Sequence, residues 1–368
     1  MEFLKENARR VVVKIGTNTL TGAEGRLEMD CLRQICSQVA EVRARGLEVI
    51  VVSSGAIGLG IAHLGWRKRP ADLASLQACA AIGQAILMDL WKQCLAPHGL
   101  SCAQILLTHE DVRHRHRHLA VRDTLERLLS LGLVPVVNEN DTVSAAEIRF
   151  GDNDMLSALT ASLTKADLLV ILSTIPGLLD LAGDGQLVPV VPRITPEIEA
   201  MAGGTDSPFA TGGMISKIAA AKVSVRSGCG VFIGDGKNPS LLTDLLSGRA
   251  EGTFFVPATL SLDAKKRWVA FFGAPGGRIL VDAGAGDALR ARGRSLLAKG
   301  IVAIEGNFSA GAVVEIADDG GRVFARGLTQ FDAGALETVR GLDSGAIRAR
   351  FPQRKRTEVV HRDALVLL

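Results

Sequence analysis

The sequence predicts an α/β protein in which a parallel-rich sheet is sandwiched by helices and followed by a small, mostly β second domain. Apolar, β-branched runs of strand length alternate with helical patterns up to about residue 250. After about residue 275 the pattern changes to short strands separated by glycines. A chain of 368 residues is also longer than one typical core requires. Strand–helix alternation with doubly apolar strands indicates a parallel sheet covered on both faces.

The predicted strands of the first domain are short and rich in Val, Ile and Leu, and in chain order they read RVVVKIG, LEVIVVSSG, AQILLT, LVPVVNEN and DLLVILS. The segments between them carry apolar residues at helical spacing and read MDCLRQICSQVAEVRARG, ADLASLQACAAIGQAILMDLWKQCLA, VRDTLERLLSLG and DNDMLSALTASL. A helix in GGMISKIAAAKVSVRSG and a strand in GVFIG continue the pattern.

The second domain is predicted from short strands in RILVDAGAGDAL, KGIVAIEGNFSAGAVVEIAD and GRVFARGL. The GAPGG stretch at 273–277 is typical of a linker. We therefore predict a first domain over 1–274 and a second over 275–368.

Composition excludes several classes of protein. Hydrophobic residues make up 47% and charged residues 22%, which is ordinary for a globular protein and argues against disorder. The apolar run at 167–183 is interrupted by polar residues and Pro176, so we expect no membrane span. The charged N-terminus has no apolar signal core, which favours a cytoplasmic location. Six cysteines without a C-x-x-C pair indicate reduced, mostly buried thiols.

The net charge of +3 comes entirely from the last quarter of the chain. Residues 1–276 carry 28 Lys+Arg and 28 Asp+Glu, whereas residues 277–368 carry 14 and 11. This surplus hints at a separate module that attracts anions, although three charges are a weak electrostatic signal.

Polar residues follow the predicted strands where each one ends. Lys14 ends the first, Ser54 the second, and Asn138 and Asp141 lie in the NEND stretch after the fourth. In a doubly wound sheet, ligands bind outside the carboxyl ends of the strands. Asn and Asp also favour ordinary turns, and a lone lysine is often a solvated charge, so each position has a structural alternative.

The GDND stretch at 151–154 precedes a predicted helix, and capping of that helix accounts for only one of its three polar residues. Asp152 predicts an N-cap for the following helix. Asn153 and Asp154 can then face the strand ends, one holding a substrate and the other a magnesium-associated network.

The TGGMISK stretch at 211–217 predicts a phosphate site. Gly212 and Gly213 open a helix whose N-terminal amides and dipole favour an anion, and Lys217 leans back toward the same place. The chain has neither a P-loop nor a proper dinucleotide fingerprint. Lys14 and Lys217 on separate elements therefore suggest a clamp on a polyphosphate.

The RHRHRH stretch at 113–118 alternates histidine with arginine. The arginines would repel a metal cation, so we expect a solvated basic loop or helix start rather than a metal or nucleic-acid site.

Together these motifs resemble those of the bacterial glutamate 5-kinase family, which has the amino acid kinase fold. The resemblance rests on VVVKIGTNTL, VVSSGAIGLG, VPVVNENDTV, EIRFGDNDMLSAL and TGGMISK, in this order across residues 10–275. The stretch from 277 to 318 resembles a PUA domain, which many of these enzymes carry.

The resemblance implies transfer of the ATP γ-phosphoryl group to the side-chain carboxylate of L-glutamate, the first step of proline biosynthesis. It implies Mg²⁺, a homo-oligomer, and a PUA domain that can bind RNA. Because an acyl phosphate hydrolyses readily, we also expect a separate NADPH-dependent γ-glutamyl phosphate reductase to act on the product. The resemblance places glutamate at Ser54, Asp141 and Asn153, with Asn138 beside them. The catalytic residues would be Lys14, Lys217 and Asp154. ATP would contact Lys14, Ser173, Thr174, Thr211, Gly212, Gly213, Met214, Ile215, Ser216 and Lys217.

One departure from the family pattern concerns the nucleotide. The family usually has Thr-Asp-x-x-Gly-Leu-Tyr after the fifth strand, whereas this chain has STIPGLL and contains no tyrosine at all. The base preference is therefore open, while the phosphate chemistry is unaffected.

Two alternative functions remain. The first is another kinase of the same fold, acting on aspartate, carbamate, N-acetylglutamate or a nucleotide. Asp141 argues in part against it, because an amine-free or acetylated substrate offers a carboxylate nothing cationic to meet. The second is an RNA-binding protein working through the PUA domain. The balanced charge of the first domain argues against that.

Overall fold

The computed structural model describes residues 8–20, 27–144, 153–180, 183–202, 213–258, 264–354 and 356–368. Within these residues, contacts divide the chain into two compact units. The first comprises 8–112 and 116–258, and the second comprises 113–115 and 264–368. The boundary at 274/275 stays a prediction.

Eight strands from the described residues of the first unit form one sheet in the order β3-β4-β2-β1-β5-β7-β8-β6. Neighbouring strands from β3 to β7 are parallel, and β8 runs antiparallel to β7. The strands are β1 Arg10–Ile15, β2 Glu48–Val52, β3 Cys102–Leu107, β4 Val134–Glu139, β5 Leu168–Ser173, β6 Val190–Val191, β7 Gly230–Asp235 and β8 Thr253–Phe255. The predicted parallel-rich sheet is confirmed.

The burial of the central strands explains their composition. Every residue of β4 and β5 is buried, and so is every residue of β1 after Arg10. A strand covered on both faces reads as a continuous apolar run, which is why no polar–apolar alternation marks these segments. The sheet therefore forms the core of the unit, and its carboxyl edge brings the ends of β1, β2, β4 and β5 together.

Helices cover this sheet and follow most of the predicted helical segments. Their bounds are α1 Thr17–Leu20, α2 Met29–Ala44, α3 Ala56–His63, α4 Leu73–Leu95, α5 His109–Arg113, α6 Arg115–Ser130, α7 Asn153–Leu163, α8 Pro196–Ala202, α9 Met214–Arg226 and α10 Leu241–Ser247. The sequence patterns missed the shorter helices. They missed α3 because two of its eight residues, Gly58 and Gly60, lower helix propensity.

Helices α3 and α4 touch backbone to backbone. A Cβ atom added at Gly60 would lie 1.9 Å from the carbonyl oxygen of Cys79, and one added at Gly83 would lie 1.7 Å from that of Ala56. Both glycines are therefore required by the close approach of the two helices. Gly55, which precedes α3, has φ +100°, a left-handed conformation that glycine adopts without strain.

The segment Leu73–His98 is long and apolar enough to cross a membrane by length and composition alone. The expectation of no membrane span was based only on the apolar run at 167–183. This segment contains α4, which packs on α2, α3 and β3 of the first unit. Such packing is typical of a helix that covers one face of a sheet.

The second unit is built on a five-stranded sheet of described residues in the order β10-β9-β11-β12-β13. Its strands are β9 Pro275–Val281, β10 Ile301–Gly306, β11 Val313–Ala317, β12 Val323–Thr329 and β13 Val360–Leu367. Its helices are α11 Ala264–Arg267, α12 Ala283–Arg292, α13 Ala333–Val339 and α14 Ser344–Arg350, with a π-helical turn at Trp268–Phe272. The predicted mostly β second domain is confirmed.

The predicted linker at 273–277 is wrong for its second half. Pro275, Gly276 and Gly277 belong to β9, in which Pro275 pairs with β11 and Gly277 pairs with both β10 and β11. A Cβ atom at Gly277 would lie 2.4 Å from the carbonyl oxygen of Glu305 and 2.5 Å from the Phe308 ring. The glycine there serves close strand packing rather than flexibility.

The RHRHRH stretch runs from Arg113, the last residue of α5, into the first turn of α6, so the expected helix start is present, with His114 and His116 exposed. The expectation of full solvation is wrong for His118. This residue faces inward, is 8% exposed, and places Nδ1 3.2 Å from the Val112 carbonyl oxygen. All six cysteines are free thiols, and all but the half-buried Cys102 are buried.

Candidate active site

The candidate site is centred on the first two residues of α7, which begins at the carboxyl edge of the sheet. Successive residues of a helix point about 100° apart. Asn153 therefore faces the ends of β2 and β4, whereas Asp154 faces the end of β1 and the start of α9. Asp152, the predicted N-cap, lies outside the described residues. One helix start thus serves two adjacent clusters of polar groups.

The first cluster is a buried carboxylate held between two ammonium groups. Asp154 Oδ1 lies 2.5 Å from Lys14 Nζ, and its Oδ2 lies 3.2 Å from Lys217 Nζ. Asp154 is fully buried, and the lysines are only 4% and 8% exposed. The sequence predicted that the two lysines converge, and the structure places both on one carboxylate.

The start of α9 completes this cluster. Gly213 precedes the helix in an extended conformation, and Met214 is the first helical residue. The Ser216 hydroxyl lies 2.8 Å from Asp154 Oδ2 and 2.9 Å from the Gly213 carbonyl oxygen. Ile215 is 65% exposed, which is unusual for so large an apolar side chain next to buried charges. Thr211 and Gly212 lie outside the described residues.

The charge state of Asp154 follows from two opposed effects. Burial by itself would raise the pKa of this carboxyl group. The positive charges of Lys14 and Lys217, together with hydrogen bonds from Lys14 and Ser216, outweigh burial and bring its pKa below the ordinary value. Asp154 is therefore ionised at neutral pH and holds the two ammonium groups at the strand ends.

The second cluster is a chain of side-chain amides. Asn153 Nδ2 lies 2.5 Å from the Ser53 carbonyl oxygen, 2.9 Å from Ser54 Oγ and 2.8 Å from Asn138 Oδ1. Asn138 Nδ2 in turn donates to Gln84 Oε1 at 2.8 Å. The predicted substrate residues Ser54, Asn138 and Asn153 are thus brought into direct contact.

A cavity of about 300 Å³ adjoins the amide chain. It lies between α4, β3 and the turn after β4, and its wall includes Ala80, Gln84, Gln104, Glu139, Asn140 and Asp141. Asp141 is half-buried there, whereas Glu139 is buried and accepts a hydrogen bond from the Ser144 hydroxyl at 3.0 Å. The predicted ammonium ligand therefore lies on the wall of a concave, partly polar space of the kind that binds small molecules.

Ser173 and Thr174 lie at the same edge of the sheet but belong to neither cluster. Ser173 is buried at the end of β5, and its carbonyl oxygen accepts from the Gly236 amide at 2.7 Å. Thr174 is exposed just after the strand. β5 pairs directly with β1, so both residues follow the strand beside Lys14.

Gln84 is a site residue that the motifs did not indicate, as are Gln104, Glu139 and Asn140 on the cavity wall. A signal was present for Gln84, because it falls at helical spacing among the buried residues Leu76, Ala80, Leu87 and Trp91. A polar residue on the buried face of an amphipathic helix requires a partner or a function. The alanines around Gln84 make the buried face of this helix hard to recognise from the sequence.

The donor set for a metal ion is sparse. Among the described residues, no group of three or more His, Cys, Asp or Glu side chains could hold a metal ion. Asp154 is already engaged by two ammonium groups. Mg²⁺ in kinases usually binds through substrate phosphates, one or two carboxylates and water, so these residues fit a metal carried on a nucleotide.

Comparison with known proteins agrees with this geometry. The amino acid kinase family matches residues 9–235, and the PUA domain matches residues 277–350. The chain is 45% identical to the glutamate 5-kinase of Trichlorobacter lovleyi over 99% of this chain and 98% of that protein. It is 44% identical to that of Geobacter sulfurreducens over 98% of both chains.

A solved structure supports the fold. Carbamate kinase from Giardia lamblia bound to AMP-PNP superposes with a TM-score of 0.50 at 17% identity, covering 68% of this chain and 99% of that one. The chain therefore belongs to the amino acid kinase family, and within it to the glutamate 5-kinases.

Proposed function

We propose that this protein transfers the γ-phosphoryl group of ATP to the side-chain carboxylate of L-glutamate and so makes γ-glutamyl 5-phosphate, the first step of proline biosynthesis. The observation that carries this proposal is the pair of adjacent clusters at the start of α7. One supplies two ammonium groups for phosphates, and the other supplies amides and a carboxylate for an amino acid.

The phosphate cluster supports a mechanism without a general base. A glutamate carboxylate is already ionised at neutral pH, so no residue must take a proton from the nucleophile. Phosphoryl transfer instead requires alignment and stabilisation of charge on the transferring group. Lys14 and Lys217 would meet that charge, and Asp154 would keep both ammonium groups positioned before ATP arrives. Mg²⁺ would come with the ATP and neutralise part of its phosphate charge.

The amide cluster supports binding of an amino acid. Asp141 would pair with the α-ammonium group, while Ser54 and Asn153 would hold polar atoms near the carboxylate that reacts. Asn138 would fix Asn153 in place. The nucleotide would lie along the start of α9, from Gly213 to Lys217, and beside Ser173 and Thr174.

Several wider assignments belong to the same proposal. An acyl phosphate hydrolyses readily, so we expect a separate NADPH-dependent reductase to consume it. A cytoplasmic location is proposed from the charged N-terminus, and a homo-oligomer and RNA binding through the PUA unit are proposed from the family resemblance.

The test is a substrate screen with the purified full-length protein, ATP and Mg²⁺. Hydroxylamine added to the reaction should trap the product as a γ-hydroxamate, formed only when both ATP and L-glutamate are present. The proposal would fail if aspartate, N-acetylglutamate and UMP were each turned over better than L-glutamate.

A further inference from the structure

The orientation of the Gln84 amide follows from the backbone. The Glu139 backbone N–H donates to Asn138 Oδ1 at 2.9 Å, and a backbone N–H can only donate. Asn138 must therefore present its oxygen to Glu139 and Asn153, and its NH₂ group to Gln84. Gln84 consequently presents its oxygen to Asn138, so its own NH₂ group is turned away from the amide chain.

That NH₂ group has no hydrogen-bond partner among the residues that the structure describes. Gln84 is 8% exposed, and its Nε2 atom is almost fully covered, although the residue forms part of the cavity wall. A buried donor without an acceptor is destabilising, and most buried polar groups in proteins are paired. Because Gln84 lines the cavity, a ligand bound there would supply the acceptor that this donor lacks.

The other groups on the cavity wall restrict the chemistry of that ligand. Asp141 and Glu139 offer carboxylate oxygens, which suit an ammonium group. The oxygen of the Gln84 amide already accepts a hydrogen bond from Asn138, so only its N–H groups are left for a ligand. An N–H donor suits an acceptor such as a carboxylate. A ligand that satisfies both ends carries an ammonium and a carboxylate side by side, as the head of an α-amino acid does.

We propose that Gln84 is a specificity-determining residue that binds the α-carboxylate of the substrate amino acid, while Asp141 binds its α-ammonium group. This rests on the proposed glutamate kinase activity. Gln84 would then let the enzyme distinguish an α-amino acid from an amine that carries only the reacting carboxylate.

The test uses the full-length protein, two variants and two analogues of the substrate. Gln84→Glu keeps an oxygen for Asn138 but replaces the donor with an anionic oxygen, and Gln84→Met removes the donor without adding charge. 4-Aminobutyrate lacks the α-carboxylate of glutamate, and glutarate lacks the α-ammonium. Gln93→Glu is the matched control, because Gln93 is exposed on the same helix and bonds only to Asp89 among the described residues.

The expected result is a selective loss. Gln84→Glu should raise the KM for L-glutamate and the Ki of glutarate by about 10- to 100-fold, the value of a hydrogen bond to a charged group. Gln84→Met should raise both by a smaller factor. The Ki of 4-aminobutyrate, the KM for ATP and every constant of Gln93→Glu should stay close to those of the unmodified protein.

Two results would overturn the assignment. An unchanged glutarate Ki in both Gln84 variants would show that the residue touches no carboxylate. An equal rise for 4-aminobutyrate and glutamate would show that Gln84 only supports Asn138. Failure of the kinase proposal is distinguishable, because the unmodified protein would then make no γ-hydroxamate.

Discussion

Asp154 carries the charge balance of the site, because it is the partner of both buried lysines. Its neighbour Asn153 makes equally direct contacts with the ends of β2 and β4. The sequence could place both residues at a helix start after the fourth strand. It could not assign each to its partners, since Lys14 and Lys217 lie about 140 and 63 residues away along the chain. Helix periodicity sets the angle between neighbouring side chains, whereas the packing of α7 decides what each one meets.

Substitutions of Lys217 and of Asp141 should change different kinetic constants. Lys217→Ala should mainly lower kcat, by about 10²–10³-fold, as expected for loss of one electrostatic stabiliser of the transition state. Asp141→Asn should mainly raise the KM for L-glutamate, by about 30-fold or more, because it breaks a charge pair with the α-ammonium. Steady-state kinetics with varied glutamate and varied ATP measures both effects. The proposed role of Asp141 would be wrong if its substitution raised the KM for ATP and left the KM for glutamate unchanged.

Asp154→Asn should lower the free energy of unfolding at pH 7 by about 3–5 kcal/mol, because two ammonium groups would then be buried without a carboxylate. The folded-state pKa of Asp154 lies below its ordinary value. Its stabilisation is therefore present above the unfolded-state pKa, near ~3.9, and is lost as pH falls through the folded-state pKa.

Urea denaturation of the unmodified protein and the variant at several pH values tests this. The difference between them should shrink as the pH falls below about 4. Asp332→Asn is the control, because it removes one exposed charge while Asn still caps α13. An equal difference at pH 7 and at pH 3 would contradict the assigned pKa direction.

At the scale of elements, the site depends on how closely α3 and α4 approach. α3 follows Ser54 and Gly55, and α4 carries Gln84 directly after Gly83. The glycines at 60 and 83 let the two helices touch backbone to backbone. This contact sets the distance between the end of β2 and the wall of the cavity. The sequence alone identifies these glycines only as residues with low helix propensity. Their role in packing is not visible there, because the contact partner of each lies on the other helix.

Alanine substitutions at the two glycines of α3 should therefore change the free energy of unfolding in opposite directions. Gly60→Ala should destabilise the protein by about 1–3 kcal/mol, because its Cβ meets an immovable carbonyl group of α4. Gly58→Ala, two residues earlier and on the opposite side of the same helix, has nothing within 4 Å of its Cβ and should stabilise by about 0.5–1 kcal/mol. Thermal or urea unfolding gives both values. If both variants lost the same stability, close helix contact would not be the reason for Gly60.

At the scale of the whole molecule, the chain contains two compact units with separate apolar cores. The candidate site lies entirely in the first unit, since its described residues run from Lys14 to Lys217. The π-helical turn at 268–272 belongs to the second unit, where Val269 packs with Val313, Leu328 and Ala364. Because this packing lies within the second unit, a chain that ends at residue 258 offers a second truncation to compare with one that ends at the predicted boundary of 274.

A chain that ends at Ala258 should fold and retain glutamate-dependent ATP turnover. A chain that ends at Ala274 should do so too but aggregate more readily, because Val269 and Phe272 lose the apolar partners that cover them. Light scattering and the hydroxamate assay compare the two directly. Complete loss of turnover in a folded 1–258 chain would show that the last quarter contributes to the reaction.

The long strands and helices in their order along the chain, the change to short glycine-separated strands near residue 275 and the polar residues at the strand ends could be predicted from the sequence, because periodicity and turn composition are local properties of a chain. The shorter helices and the strands β6 and β8 could not, because they are too short to show a periodic pattern. Tertiary structure alone decided the strand order β3-β4-β2-β1-β5-β7-β8-β6, the shared carboxylate of Lys14 and Lys217, and the direction of the Gln84 amide. Each of these depends on groups that are distant along the chain. Their free energy of interaction exists only after the sheet has formed and brought the strand ends to one edge.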